Sequence, residues 1–200
     1  EKLDAPGGRA YVHRQDGFTF DAGPTVITAP FLLEELWALC GRRLADDVTL
    51  VPMDPFYRIR YDDGSHFDYS SDADAMRAQI ARISPADVAG YQRFVQEAEL
   101  CYRIGSEKLG SIAYERVSDL LRASPILVRM RGWRSLYKLV STHMQHPKLR
   151  TAFSLQSLLI GGNPFNVTSI YSLINALERR CGVHWAMGGT GTLVQSLAGL

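Results

Sequence analysis

The chain has 200 residues, 46% of them hydrophobic, and a formal net charge of +1, enough apolar content to bury a core in one or two domains. No run of about 18 apolar residues and no apolar leader segment occurs, so neither a transmembrane helix nor a signal segment is expected. Cys40, Cys101 and Cys181 are scattered and odd in number, which argues against a disulfide framework and predicts buried thiols in a reduced, cytosolic setting.

The opening, Glu1-Lys2-Leu3-Asp4-Ala5-Pro6-Gly7-Gly8-Arg9-Ala10, reads as the exit of a second strand in a dinucleotide-binding βαβ unit. In such units an acid closing that strand bonds a ribose hydroxyl about 20 residues after a G-x-G-x-x-G turn. Glu1 takes that role, the glycine turn is expected upstream, and the chain is expected to be an internal piece of a larger flavoprotein. Gly7 and Gly8 let backbone pass close to a pyrophosphate, and Arg9 supplies a permanent cation with a planar fork. Taken alone, Gly-Gly-Arg reads as an ordinary turn with a surface charge. Glu1 before it and Asp21-Ala22-Gly23-Pro24-Thr25 after it favour the cofactor.

Residues 10–21 alternate as two strands around a Gln15-Asp16-Gly17 turn. Pro30 to Leu39 reads as a helix stopped by Gly41. A β region follows in 48–52, 56–61 and 65–69, the middle strand setting Tyr57, Ile59 and Tyr61 on one face and Arg58 and Arg60 on the other. From Asp72, which can cap a helix carrying Met76, Ile80 and Ile83, the period becomes helical. Ser84-Pro85-Ala86-Asp87 reads as a capping-box variant before a helix with Val88, Tyr91, Phe94, Val95, Ala98 and Cys101 on its apolar stripe. Further helices are expected over 118–123, 125–144, 147–160 and 168–180, then a short strand at 183–187 and a helix opened by Gly188-Gly189-Thr190-Gly191-Thr192.

Charge is unevenly divided: 20 of the 21 acidic side chains precede residue 120, and no Asp or Glu occurs between Leu120 and Leu177. On a single helix over 125–144, Arg131, Arg134 and Lys138 share a face beside Trp133, the pattern of an amphipathic helix on an anionic membrane surface. A core helix with a solvated charged face gives the same pattern. His143 and His146 are three apart without a third ligand, so no metal site is expected.

Glu-Lys-x-Asp-x-Pro-Gly-Gly-Arg-Ala at the start, Gly-Phe-Thr-Phe-Asp-Ala-Gly-Pro-Thr-Val-Ile-Thr over 17–28, Asp54-Pro55-Phe56-Tyr57-Arg58, Leu158-Leu159-Ile160-Gly161-Gly162-Asn163-Pro164-Phe165 and Gly188-Gly189-Thr190-Gly191-Thr192-Leu193-Val194 together resemble the bacterial phytoene desaturases. The resemblance runs over the whole chain. It implies an FAD-dependent oxidation of 15-cis-phytoene toward neurosporene or lycopene. It places Glu1, Lys2, Gly7, Gly8, Arg9, Gly23, Pro24 and Thr25 at the cofactor. Gly161, Gly162, Asn163 and Phe165 would line the polyene, although two glycines before Asn-Pro also satisfy ordinary helix-stop signals. Arg150 matches a basic family position near the reacting carbons, yet a permanently charged guanidinium is a poor base, and a surface arginine on a membrane is the competing reading.

The fold implied is α+β: a remnant of a Rossmann-like FAD-binding domain (1–29), a mixed substrate region (30–71), a mainly helical membrane-facing region (72–182) and a segment returning to the FAD domain (183–200). The partners implied are a hydrophobic polyene and an anionic membrane, without nucleic acid, at a cytoplasmic, peripheral location. Rival readings are an amine or protoporphyrinogen oxidase, a carotenoid isomerase or ketolase, and a flavin-free isoprenoid carrier resembling the GDP-dissociation inhibitors.

Overall fold

The computed structural model describes residues 5–106, 110 and 115–200. The chain divides into two compact units, Glu1–Phe56 with Cys181–Leu200, and Tyr57–Arg180. Every strand pairing in the described residues is antiparallel and two-stranded.

In the first unit, strands β1 (Val12–Gln15) and β2 (Phe18–Asp21) form the expected hairpin. Asp16 (φ 53°) and Gly17 (φ 83°) make its two-residue turn, both in the left-handed region that a type I′ hairpin requires. Helix α1 spans Pro30–Leu39 as expected, with proline in its first turn, where a missing N–H costs nothing. A one-turn helix α2 (Leu44–Asp47) follows, too short to show a period in sequence. Strand β3 (Leu50–Pro52) pairs with β6 (His184–Ala186), which leads into α9 (Thr190–Ala198). Chain ends far apart in sequence thus share one core of Trp37, Leu44, Val48 and Ala186, flanked by Leu33, Leu193 and Leu197. The Trp37 indole donates to Asp47 at 2.7 Å, which satisfies the polar end of a fully buried ring. Cys40, just past α1, is exposed, so the expectation of buried thiols fails there: the residue sits beyond the apolar stripe.

In the second unit, β4 (Tyr57–Arg60) and β5 (His66–Tyr69) pair across the Asp62-Asp63-Gly64 turn. Helix α3 (Ala73–Ile83) is capped by Asp72, whose carboxylate accepts the Asp74 and Ala75 amides at 2.8 and 3.0 Å. Helix α4 (Val88–Ile104) buries Tyr91, Phe94, Ala98 and Cys101. Its core is aromatic: Phe67, Tyr69, Tyr91 and Phe94 surround Phe153 with ring centroids 5.2–5.7 Å away. Ser84 is the N-cap with Pro85 in the first turn, as expected, but the reciprocal capping bonds do not form, since the Ser84 side chain makes no cap bond. Asp87, nearly fully buried, instead accepts the amides of Gln145 and His146 at 2.7 and 2.9 Å.

The 118–144 region differs most from expectation. Helix α5 (Val117–Arg129) runs through Pro125, and α6 (Leu136–His143) is a separate helix. Proline removes the N–H that would bond the Leu121 carbonyl; the Ser124 hydroxyl donates to that carbonyl at 2.7 Å instead. The break comes at Arg131, with φ 51°, where Gly132 N–H returns to the Leu127 carbonyl at 3.0 Å, a helix-terminating turn. Helix α7 (Pro147–Ser154) tightens into a 3₁₀ segment, Leu155–Ile160, ended by Gly161 at φ 65°. A second 3₁₀ segment, Ser169–Ser172, leads into α8 (Leu173–Cys181).

Candidate functional site

The first unit carries an open crevice of about 650 Å³ between the turn after residue 7 and the exit of β2, lined by Gly8, Arg9, Tyr11, His13, Ala22, Gly23 and Pro24. Its two walls meet at backbone distance. A Cβ on Gly23 would lie 1.9 Å from the Arg9 carbonyl oxygen and 2.8 Å from its carbon, so only glycine permits this approach. The chain reverses at Gly7 (φ 137°), and the Ala10 amide donates to the Gly7 carbonyl at 2.7 Å. Arg9 is exposed, and no described carboxylate pairs with it. An uncommitted guanidinium beside glycine-rich backbone suits an anionic, planar ligand.

Of the residues expected at a cofactor, Gly8, Arg9, Gly23 and Pro24 come together here, while Gly7 and Thr25 stand adjacent in sequence without lining the crevice. Glu1 and Lys2 lie outside the described residues. Tyr11 and His13, ring centroids 5.0 Å apart, line it as well; sequence reasoning passed over them because an alternating strand has no chemical signature. Asp21 and Thr190 stand out in sequence only as members of their motifs. Asp21 Oδ2 accepts the Thr190 amide at 3.2 Å and the Thr190 hydroxyl donates to the Pro24 carbonyl at 2.7 Å. The two glycine-bearing motifs, far apart in sequence, are therefore one structure.

In the second unit, Arg150 on α7 donates from Nε to the Met144 carbonyl at 2.9 Å, the end of α6, which fixes the guanidinium plane. Phe165 packs against Tyr137 with tilted rings, centroids 4.5 Å apart, and lines a cleft of about 130 Å³ with Thr151, Leu155, Leu158 and Pro164. Gly161, Gly162 and Asn163 do not line that cleft. Asn163 Oδ1 accepts the Phe165 amide at 2.9 Å, and a Cβ on Gly162 would strike Val167 at 2.3 Å; both shape the turn that presents Phe165.

The basic face expected on one helix over 125–144 is not formed, because the chain breaks at Arg131. Arg134 lies before α6 with its side chain 11% exposed, and its guanidinium meets Glu97 at 2.5 Å. His143 Nε2 is 2.7 Å from the other oxygen of Glu97. His146 Nδ1 accepts the Lys148 amide at 3.3 Å as the cap of α7. No metal-binding cluster occurs among the described residues. Trp133 is 70% exposed. No helix among the described residues is long and apolar enough to cross a membrane.

The chain spans about 40% of the length of the curated relatives it matches. It is 48% identical over 197 residues to a lycopene-forming phytoene desaturase of Pantoea ananas, covering 98% of this chain and 40% of that protein. It is 44% identical over 198 residues to a neurosporene-forming phytoene desaturase of Cereibacter sphaeroides, covering 99% of this chain and 38% of that protein. The family model described as flavin containing amine oxidoreductase matches residues 1–199. The hairpin exit packed on the Gly-Gly-Arg turn thus belongs to a chain whose whole length carries the family pattern, and the chain is a member of the flavin-containing amine oxidoreductases.

Proposed function

We propose that this chain is part of an FAD-dependent phytoene desaturase that converts 15-cis-phytoene toward neurosporene or lycopene. The observation that carries the reading is Gly23 seated on the Arg9 backbone inside one crevice, in a chain 44–48% identical over nearly its full length to such desaturases. The crevice fits part of a dinucleotide: backbone that side chains would block, one guanidinium without an ion pair among the described residues, and Tyr11 and His13 as flat walls. FAD, when bound, supplies the hydride acceptor that no amino-acid side chain provides.

In this reading Gly8, Arg9, Gly23 and Pro24 hold the cofactor directly. Gly7 and Thr25 shape the turns on either side; Glu1 is assigned to the ribose and Lys2 to the cofactor. Phe165, with Tyr137 and Leu158, offers the polyene an apolar cleft. Arg150 stands as a fixed cation near the reacting carbons, oriented by the Met144 carbonyl; it positions and polarises, because a guanidinium does not accept a proton. Residues 1–29 and 183–200 then belong to a Rossmann-like FAD domain, 30–71 to a substrate region, and 72–182 to a helical region facing an anionic membrane from the cytoplasm. Exposure of Leu158, Leu159, Ile160 and Phe165 supports that face, since an insoluble C40 chain has to be drawn from a bilayer.

The test is the full-length protein with phytoene in liposomes. A yellow protein that forms coloured, longer-conjugated product is the expected result. A colourless protein that still binds isoprenoid lipid would favour a carrier instead.

A further inference from the structure

The one acidic residue between positions 120 and 200, Glu178, is fully buried in the core of the second unit on α8. One carboxylate oxygen, Oε2, accepts the Tyr57 hydroxyl at 3.1 Å, and the Gln156 amide reaches the same hydroxyl at 3.4 Å. No arginine, lysine or histidine forms an ion pair with Glu178 among the described residues. One helical turn earlier Asn175, 1% exposed, has neither side-chain polar atom partnered, and residues three apart on a helix are surface neighbours.

The groups facing this carboxyl are Tyr57 from β4, Tyr69 from β5 and Gln156 from the 3₁₀ segment after α7. The two arginines that follow it on α8 are engaged with other groups. Arg179, on the same helix, interacts with Tyr69 and Tyr91, and Arg180 pairs with Glu99. A buried carboxylate without a counter-cation is so poorly solvated that the neutral acid is the stable form near neutrality. A buried amide is rarely left without partners, and a small polar ligand that both donates and accepts would satisfy Asn175; water does so.

We propose that the interior of the second unit contains a proton-binding site, Glu178, exchanging its proton through water held at Asn175. The site lies outside the residues assigned to flavin or polyene and does not depend on either. Burial, outweighing the hydrogen bonds from Tyr57 and Gln156, pushes the Glu178 carboxyl up to about 7. Protons therefore enter and leave where a cytoplasmic protein operates.

The experiment is an infrared pH titration of the full-length protein, read at the carbonyl stretch of a protonated carboxylic acid. The expected result is an acid band that disappears in Glu178→Gln and titrates with a midpoint near 7. Tyr57→Phe removes the hydroxyl that stabilises the carboxylate, so it should move that midpoint upward. Asn175→Leu, which cannot hold water, should slow exchange of the acid proton with D2O at least tenfold. A band unchanged by Glu178→Gln, or ionisation complete at pH values where exposed glutamates titrate, overturns the proposal. So does proton exchange that is equally fast in Asn175→Leu. Should Glu178→Gln not fold, the Tyr57→Phe shift decides alone: a wild-type midpoint that Tyr57→Phe leaves in place counts against it.

Discussion

The carboxylate of Asp21, the last residue of β2, accepts the backbone amide of Thr190 at the start of α9, 169 positions later. The bond caps a helix with a residue from the opposite end of the chain, and the negative charge sits where the helix dipole favours it. Asp21→Ala should lose about 1–2 kcal/mol of stability and lower the flavin content of the full-length protein, because the exit of β2 loses its anchor. Gly189→Ala acts on the same contact: a Cβ there would lie 2.6 Å from Asp21 Oδ2, at a φ of 82°. Denaturant melts and flavin absorbance should both fall; unchanged values in both variants would remove the cap from the account.

Gly23→Ala is the sharper test of the crevice. The added methyl has no rotamer by which to escape an oxygen 1.9 Å away, so the β2 exit and the Arg9 turn must separate. We expect a loss of about 2–4 kcal/mol and little retained flavin. Arg9→Gln, which leaves the backbone contact intact, should weaken flavin binding with stability close to the parent. A difference of that kind between the two variants separates geometry from charge.

Asp87 predicts an acid-labile joint in the second unit. Burial pushes its carboxyl up, but the Gln145 and His146 amides, with Ser84, outweigh this and hold it below the usual carboxylate range. A depressed folded-state value means the stabilisation is complete above the unfolded-state value near 4 and is lost as pH falls through the folded one. Asp87→Asn should cost about 1–3 kcal/mol at neutral pH and flatten the acid limb of the stability profile. An acid limb as steep in Asp87→Asn as in the parent would assign the acid sensitivity to other carboxylates.

Much of this was legible from residue order. The Asp16-Gly17 turn, the proline start of α1 and the Asp72 cap are local devices, each decided by a few neighbours. The pairing of β3 with β6 was not legible, because three-residue strands carry no register signal of their own. Asp87 matched a capping motif, and tertiary amides outbid the local one. Pro125 looked like a helix start yet lies inside α5, because Ser124 satisfies the carbonyl that proline abandons. The burial of Glu178 was not legible either, because it stands beside Arg179 and Arg180 in sequence and only tertiary packing closes over it.

The broken helix changes how the proposed membrane surface should be probed. Arg134 is engaged with Glu97, which also contacts His143, so Arg134→Gln removes one partner of a largely buried cluster. A loss of roughly 1–3 kcal/mol follows, and any fall in liposome binding would be confounded with unfolding. Arg131 and Lys138 make no ion pair among the described residues and carry the clean test. Neutralising both should leave the melting temperature near the parent value while reducing sedimentation with anionic vesicles, each charge near such a surface being worth about 1 kcal/mol, roughly fivefold in binding. Trp133→Ala, at an exposed ring, should weaken binding to neutral vesicles as well, because its contribution is apolar. If the double variant sediments like the parent at low salt, the basic residues are surface charges off the proposed membrane face, and in that reading the exposed Leu158–Phe165 turn alone would meet the bilayer.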